Sequence, residues 1–207
     1  MLNSERKKDQ RPADITRRSF LLTSVMAATG MIALSPGKSG TVQATSKPSP
    51  QEVTVVRFSD AGERIKKLQV QKVVKTKEEW KKQLSRSAFA ITRHADTEVA
   101  FTGKFWNMHG SGLYRCICCG NALFSSDTKF DSGTGWPSFW APIAPENIRT
   151  TRDSSLGMVR TAVSCTECDA HLGHVFDDGP EPTYLRYCIN SESLSFIAGK
   201  IGKGSGR

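Results

Sequence analysis

The chain has 207 residues, of which 38% are hydrophobic and 24% charged, with a formal net charge of +9. That length favours one domain with additional segments. Residues 1–44 hold seven of the 29 basic and three of the 20 acidic residues, which leaves +5 for the rest, too little to argue for nucleic acid as a partner.

The first 44 residues read as an export signal rather than as folded protein. Arg6, Lys7, Lys8, Arg11, Arg17 and Arg18 precede an apolar run from Phe20 to Leu34. The run is shorter than the roughly 20 apolar residues that span a bilayer. Thr16-Arg17-Arg18-Ser19-Phe20-Leu21-Leu22 resembles a twin-arginine signal, and Val42-Gln43-Ala44 suits a cleavage site. Export by the twin-arginine route to the periplasm is expected, with no stable membrane span after cleavage. The competing reading is a basic tail with a chance apolar patch.

Residues 45–75 read as a linker, marked by Lys47-Pro48-Ser49-Pro50, and an N-terminal extension. Gln51–Phe58 and Leu68–Val74 are rich in β-branched residues, but the sequence shows no partner for them. The domain proper is expected over 76–200. Thr76-Lys77-Glu78-Glu79 forms a capping box, in which the hydroxyl accepts an amide and the glutamate reaches back. Helix is therefore expected over Glu79–Leu84, with Trp80 and Leu84 on one face, and again over Ser87–His94 with Phe89 and Ile91 partly buried.

After Ala95 glycine, aromatic and β-branched residues dominate in short runs between turns. Strands are expected at Gly112–Cys116, Ala122–Ser125, Met158–Cys165, Leu172–Phe176, Leu185–Asn190 and Leu194–Ile197. Turns are marked by Asp131-Ser132-Gly133, Asp178-Gly179-Pro180 and Asn190-Ser191. The fold class is mainly β with short N-terminal helices, ending in a flexible 201–207. Nothing in the sequence calls for an oligomer, and a monomer is expected.

Two Cys-x-x-Cys pairs, Cys116/Cys119 and Cys165/Cys168, offer four soft sulfur ligands. A two-residue gap lets both sulfurs of a knuckle reach one ion at about 2.3 Å, and two knuckles complete a tetrahedron with no open position. A single structural Zn²⁺ is the expected cofactor. Disulfides and iron are the alternatives, although folding before export would let metal load in a reducing compartment. Cys118 is the extra cysteine, adjacent to Cys119 and unable to join it easily on the same ion.

Cys188 stands apart, in Leu185-Arg186-Tyr187-Cys188-Ile189-Asn190. Strand alternation would put Arg186, Cys188 and Asn190 on one face. A thiol between a cation and an amide is a candidate low-pKa nucleophile, and on spacing alone a buried structural cysteine is an equal reading. His171 and His174, three apart, serve one site only if their strand is irregular, and Gly173 is where a bulge could sit. Trp136 follows Gly133-Thr134-Gly135, a turn that could present its ring at the rim of a cavity. Phe139 and Trp140 read as core instead.

The succession Tyr114-x-Cys116-x-x-Cys119-Gly120, Ser132-Gly133-Thr134-Gly135-Trp136-Pro137-Ser138-Phe139, His171-Leu172-Gly173-His174-Val175-Phe176, Asp178-Gly179-Pro180 and Arg186-Tyr187-Cys188-Ile189-Asn190 closely resembles the type B peptide-methionine (R)-S-oxide reductases. The resemblance runs from about Thr76 to Ile197. It implies two antiparallel sheets in a tent-like arrangement and thiol-dependent reduction of methionine (R)-sulfoxide in peptides or proteins. It implies Cys188 as nucleophile, His174 and His171 as the acid function, Asn190 as a hydrogen-bonding residue and Trp136 against the substrate S-methyl group. The product on the enzyme would be a Cys188 sulfenic acid.

Many members of that family carry a resolving cysteine where this chain has Thr134. The sulfenic acid would then be reset by an external thioredoxin-like thiol or by Cys118. Tyr184 and Ala162 also depart from the family's usual glycine and glutamate. A non-catalytic zinc-ribbon binding module and a metal-thiolate electron carrier are the other functional classes. The first predicts an inert Cys188, and the second a coloured, redox-active protein.

Overall fold

The computed structural model describes residues 51–154 and 159–200. The expectations for the signal at 1–44, for 45–50 and for 201–207 fall outside these residues, as does Met158. Among the described residues no helix is long and apolar enough to cross a membrane.

Helix α1 (Lys77–Gln83) begins at Thr76 with both arms of the capping box formed: the Thr76 hydroxyl accepts the Glu79 N–H at 3.3 Å and Glu79 accepts the Thr76 N–H at 2.7 Å. Helix α2 (Arg86–His94) is capped by Ser85 and ends on Ala95 in the left-handed conformation. Phe89 and Ile91, expected to be partly covered, are buried at 9% and 3% exposure, together with Trp80 and Leu84. The two helices thus contribute an apolar face to the core.

Among the described residues eleven strands occur: β1 (Glu52–Phe58), β2 (Arg64–Gln71), β3 (Gly112–Cys116), β4 (Ala122–Ser125), β5 (Lys129–Phe130), β6 (Ser138–Phe139), β7 (Ile148–Asp153), β8 (Arg160–Cys165), β9 (His171–Phe176), β10 (Arg186–Ile189) and β11 (Leu194–Ala198). The two main sheets are antiparallel, one ordered β5-β6-β10-β9-β8-β7 and the other β11-β3-β4. The chain is therefore mainly β with two short helices, as its glycine-, aromatic- and β-branched-rich texture implies.

Strands β1, β2, β5, β6 and β7 were not legible in the sequence as strands with partners. The segments Gln51–Phe58 and Leu68–Val74 pair largely with each other, as the β1–β2 ribbon. Strand β7, Ile-Arg-Thr-Thr-Arg-Asp, is exposed along most of its length. It lacks the apolar alternation that marks a half-buried strand, and only its pairing with β8 reveals it.

Tyr114, Leu123, Phe124, Phe139, Leu172, Ile189 and Leu194 are fully buried. Phe124 and Phe139 stack with ring centroids 4.4 Å apart, and Tyr114 meets Phe139 edge-on at 5.0 Å. Each such side chain contributes about 1.5–3 kcal/mol through its burial, so this cluster holds β3, β4, β6 and β10 against one another. β10, between β6 and β9, is fixed on both edges.

The β1–β2 ribbon is fastened by a buried amide. Asn147 accepts the Val56 N–H at 2.7 Å and donates to the carbonyls of Val56 and Ala122, each at 2.8 Å. Val55 and Val56 are both fully buried, so the strand is covered on both faces there. Arg57 makes two hydrogen bonds to Glu167, at 2.6 and 2.8 Å, and Lys72 pairs with Asp169 at 2.7 Å. Both acidic residues belong to the second Cys-x-x-Cys knuckle, so the ribbon braces that turn.

Candidate active site

Cys188 is the third residue of β10 and faces His174 across the β9–β10 ladder and Ser138 across the β6–β10 ladder. A cavity of about 120 Å³ opens there, lined by Thr97, Trp136, Arg160, His174, Cys188 and Asn190 among others. Four of the five residues singled out for catalysis thus share one cavity. The fifth, His171, lies beside His174, with ring centroids 5.3 Å apart.

An irregularity in β9 brings the histidines together. Val163 pairs with Gly173 but Ser164 pairs with His171, which leaves Leu172 as the additional residue. An inserted residue reverses the alternation on one side of it, so positions three apart come to the same face. Gly173 serves the packing rather than the insertion: a methyl there would overlap the Cys188 carbonyl oxygen and lie 3.0 Å from Ile189 Cα. No side chain fits between β9 and β10 at that point.

His174 Nε2–H donates to Asp153 Oδ2 at 2.8 Å, and Arg160 pairs with the same oxygen at 3.1 Å. A carboxylate only accepts, so this contact sets the His174 tautomer. Asp153 lies on β7, two strands from β9, and reaches His174 beside Ala162, which faces His174 on the intervening β8. A longer side chain at 162 would fill that path. Burial pulls His171 down to about 4, with His174 adding to the effect, so His171 is neutral at physiological pH.

The Cys188 thiol departs from the sequence expectation. Burial pushes it up from its ordinary value, against the pull of Thr134 and Arg186. Strand alternation did put the cation beside the thiol, but desolvation of the anion outweighs that cation. Arg186 is also shared: it makes two 2.8 Å hydrogen bonds to Asp178 and stacks over the Phe176 ring at 4.4 Å. At neutral pH the resting sulfur therefore carries its proton.

Thr134 Oγ1 lies 3.9 Å from Cys188 Sγ. Ser132 connects it to Ser138, with hydroxyl contacts of 2.8 and 2.7 Å. The position beside the sulfur is thus filled by a hydroxyl that opens a short chain of hydroxyls. Asn190 follows β10, donates from Nδ2 to the Leu172 carbonyl at 3.0 Å and accepts the Glu98 N–H at 3.0 Å. The Trp136 indole N–H donates to the Glu98 carbonyl at 3.1 Å, which fixes the ring plane at the cavity wall.

The other cysteines gather elsewhere. The sulfurs of Cys116, Cys119, Cys165 and Cys168 all lie within 4.8 Å of one another. The Cys116–Cys168 and Cys119–Cys165 separations are both 3.6 Å. A tetrahedron with metal–sulfur bonds of about 2.3 Å has edges of about 3.8 Å, whereas a disulfide needs about 2.05 Å. The four sulfurs fit a single metal ion and are not paired as disulfides. Such an ion would tie the turn after β3 to the turn after β8. Cys118 is buried beside this cluster, and its carbonyl accepts from Gln83 Nε2 at 2.6 Å.

A family model described as SelR domain matches residues 84–198. The peptide methionine sulfoxide reductase MsrB of Synechococcus sp. (strain RCC307) is 62% identical over 118 residues, which are 57% of this chain and 87% of that protein. The MsrB of Herminiimonas arsenicoxydans is 54% identical over 128 residues, 62% of this chain and 93% of that protein. That of Acinetobacter baylyi is 58% identical over 123 residues, 59% of this chain and 88% of the relative.

The chain belongs to the MsrB family.

Within this MsrB-family domain, three residues near the cavity carry no motif of their own. Asp153 sits on a strand with no hydrophobic pattern, and only strand register brings it to His174. Arg160 faces Asp153 across β7–β8, and Glu98 lies in the irregular segment after α2. Asp178 was visible as a turn residue and in the family motif, but its hold on the Arg186 guanidinium was not. Carboxylates that act through another residue leave no spacing signal.

Proposed function

We propose that this protein reduces methionine (R)-sulfoxide in peptides or proteins to methionine, with Cys188 as nucleophile. The observation that carries the reading is the cross-strand pair of Cys188 and His174 in one cavity with Trp136, in a domain that belongs to the MsrB family. The Cys188 sulfur attacks the sulfoxide sulfur. The sulfur–oxygen bond breaks, methionine leaves, and Cys188 keeps the oxygen as a sulfenic acid. Cys–SH plus sulfoxide gives Cys–SOH plus thioether, so the step needs no net proton. The thiol supplies the proton, and His174, oriented by Asp153, carries it to the oxygen. Trp136 receives the S-methyl group, a sulfur–aromatic contact. Asn190 completes the cavity wall, and neutral His171 packs beside His174.

The sulfenic acid is reset from outside. Thr134 occupies the position beside Cys188 and has no thiol, while Cys118 is buried beside the four-sulfur cluster. A thioredoxin-like dithiol attacks Cys–SOH and releases water. Its second thiol then cleaves the mixed disulfide and restores Cys188. Zinc is the metal that best suits four closed sulfur ligands, in a structural role. The arginine pair and apolar run of 1–44 support export by the twin-arginine route, which makes oxidised periplasmic proteins the substrates.

The deciding assay presents R and S sulfoxide peptides separately, with a thioredoxin system as reductant. Turnover of the R epimer alone, abolished in Cys188→Ser, is expected. Turnover of neither epimer would return the protein to the class of zinc-ribbon binding modules, and turnover that survives Cys188→Ser would remove Cys188 as the nucleophile. Export tested with Arg17 and Arg18 replaced by lysine should stop.

A further inference from the structure

The segment from Ala95 to Gly103 runs from the end of α2 across the cavity, and Glu98 is its most connected residue. Its main-chain N–H donates to Asn190 Oδ1 at 3.0 Å, and its main-chain carbonyl accepts the Trp136 indole N–H at 3.1 Å. Its carboxylate accepts the Ser191 N–H at 2.7 Å and the Glu192 N–H at 3.0 Å. The backbone of one residue therefore touches two site residues that come from different elements. Trp136 lies in the loop between β5 and β6, and Asn190 follows β10.

The side chain is what keeps that backbone in place. Two charge-assisted hydrogen bonds from consecutive amides are directional and strong, and here both fall on the residues directly after Asn190. The surroundings are built around the carboxylate. A methyl at Gly103 would overlap Glu98 Oε1 and the Ser191 hydroxyl. Farther along, the Phe101 N–H donates to the Gly135 carbonyl at 2.8 Å, next to Trp136. The segment is thus tied to the Trp136 turn at Glu98 and Phe101 and to the Asn190 turn through Glu98.

We propose that Glu98 is a positioning residue for substrate fit: it clamps the turn after β10 and thereby holds the Trp136 ring and the Asn190 amide at the cavity. This rests on the reading of Trp136 as the S-methyl contact. It acts on recognition rather than on the reacting atoms, because no hydrogen bond joins Glu98 to Cys188, His174 or Asp153 among the described contacts. A contact made equally in the ground and transition states changes KM and leaves kcat alone.

The test compares Glu98→Ala, Glu98→Gln and Trp136→Phe in the full chain, with R-sulfoxide peptide as substrate. Glu98→Ala should raise KM about tenfold with kcat within about twofold, the scale of one lost sulfur–aromatic contact. Glu98→Gln keeps the shape and one acceptor and should fall between Ala and wild type. Hydrogen exchange of the Trp136 indole N–H, identified by its absence in Trp136→Phe, should quicken in Glu98→Ala. A KM raised by Trp136→Phe but unchanged by Glu98→Ala, with the indole still protected, would overturn the role of Glu98 alone. A KM unchanged in both would overturn the Trp136 contact and the inference with it. A fall in kcat that tracks Tm, at constant KM, would reduce Glu98 to a structural residue and also overturn the proposal.

Discussion

Gly173→Ala tests whether the β9–β10 contact sets the geometry of the nucleophile. The new methyl would overlap the Cys188 carbonyl oxygen, lie 3.0 Å from Ile189 Cα and lie 3.1 Å from the Cys188 carbonyl carbon. All three are backbone atoms, so no rotamer change relieves them. Restoring a carbon–oxygen contact of about 3.3 Å requires the strands to part by about 1 Å. Overpacking that cannot relax locally costs about 3 kcal/mol, which in a domain of this size lowers Tm by about 10 °C. The same shift moves Cys188 relative to His174, its cross-strand partner. A 1 Å misplacement of reacting groups costs about 100-fold in rate. Thermal melts and kcat/KM on R-sulfoxide peptide measure both effects. Gly110→Ala is the control, because among the described residues the atom nearest its new methyl is Phe196 Cζ, at an ordinary contact distance of 3.9 Å. Wild-type Tm and kcat/KM in Gly173→Ala would show that the close approach does not hold Cys188 in place.

Asp153→Asn removes the carboxylate that orients His174 and should lower kcat about 10- to 100-fold with KM little changed; full activity would separate Asp153 from the proton path. Metal analysis should return about one zinc per chain. Its removal by a chelator under reducing conditions should lower Tm by at least about 10 °C, because the metal's binding energy is folding energy. Iron, or a full complement of oxidised thiols, would contradict the assignment. His171 stays neutral down to about 4 when folded, against 6.5 in the unfolded chain. The unfolded state therefore binds more protons between those values, and stability falls as pH drops through that window, by up to about 3 kcal/mol near pH 4. Urea melts of the wild type and His171→Gln at pH 7 and pH 4.5 should show a shallower acid loss in the variant, and equal losses would refute the burial argument.

Elements that bury one face could be read from the residues. Thr76 to Glu79 forms a capping box because its hydroxyl and carboxylate reach only neighbouring amides, and local chemistry needs no tertiary context. The strands at 112–116 and 122–125 declared themselves through buried, β-branched or aromatic residues between turns. β7 did not, because an exposed edge strand has no apolar face to declare. The ribbon segments were visible as β-rich runs, but their pairing was not, and their buried anchor Asn147 lies 91 residues from Val56 in sequence.

The four metal-binding sulfurs were legible for a local reason: two-residue spacing is itself the geometry of a knuckle, so pattern and chemistry coincide. Cys188 came into view through the family resemblance of its strand motif, because the count alone leaves Cys118 outside the set as well. The electrostatics of Cys188 did not. Alternation along β10 placed Arg186 beside the thiol, yet burial, a property of the assembled core, decides the direction of its shift. The meeting of His171 and His174 depended on an inserted residue at Leu172, which no spacing rule locates. Their carboxylate support comes from Asp153 on another strand, and the clamp at Glu98 works through backbone groups. Sequence by itself determined which residue types could do this chemistry, because ligand spacing and side-chain chemistry are local covalent facts. Tertiary structure alone decided which groups orient, desolvate and clamp them, because those effects depend on distances across strands that sequence separation does not encode.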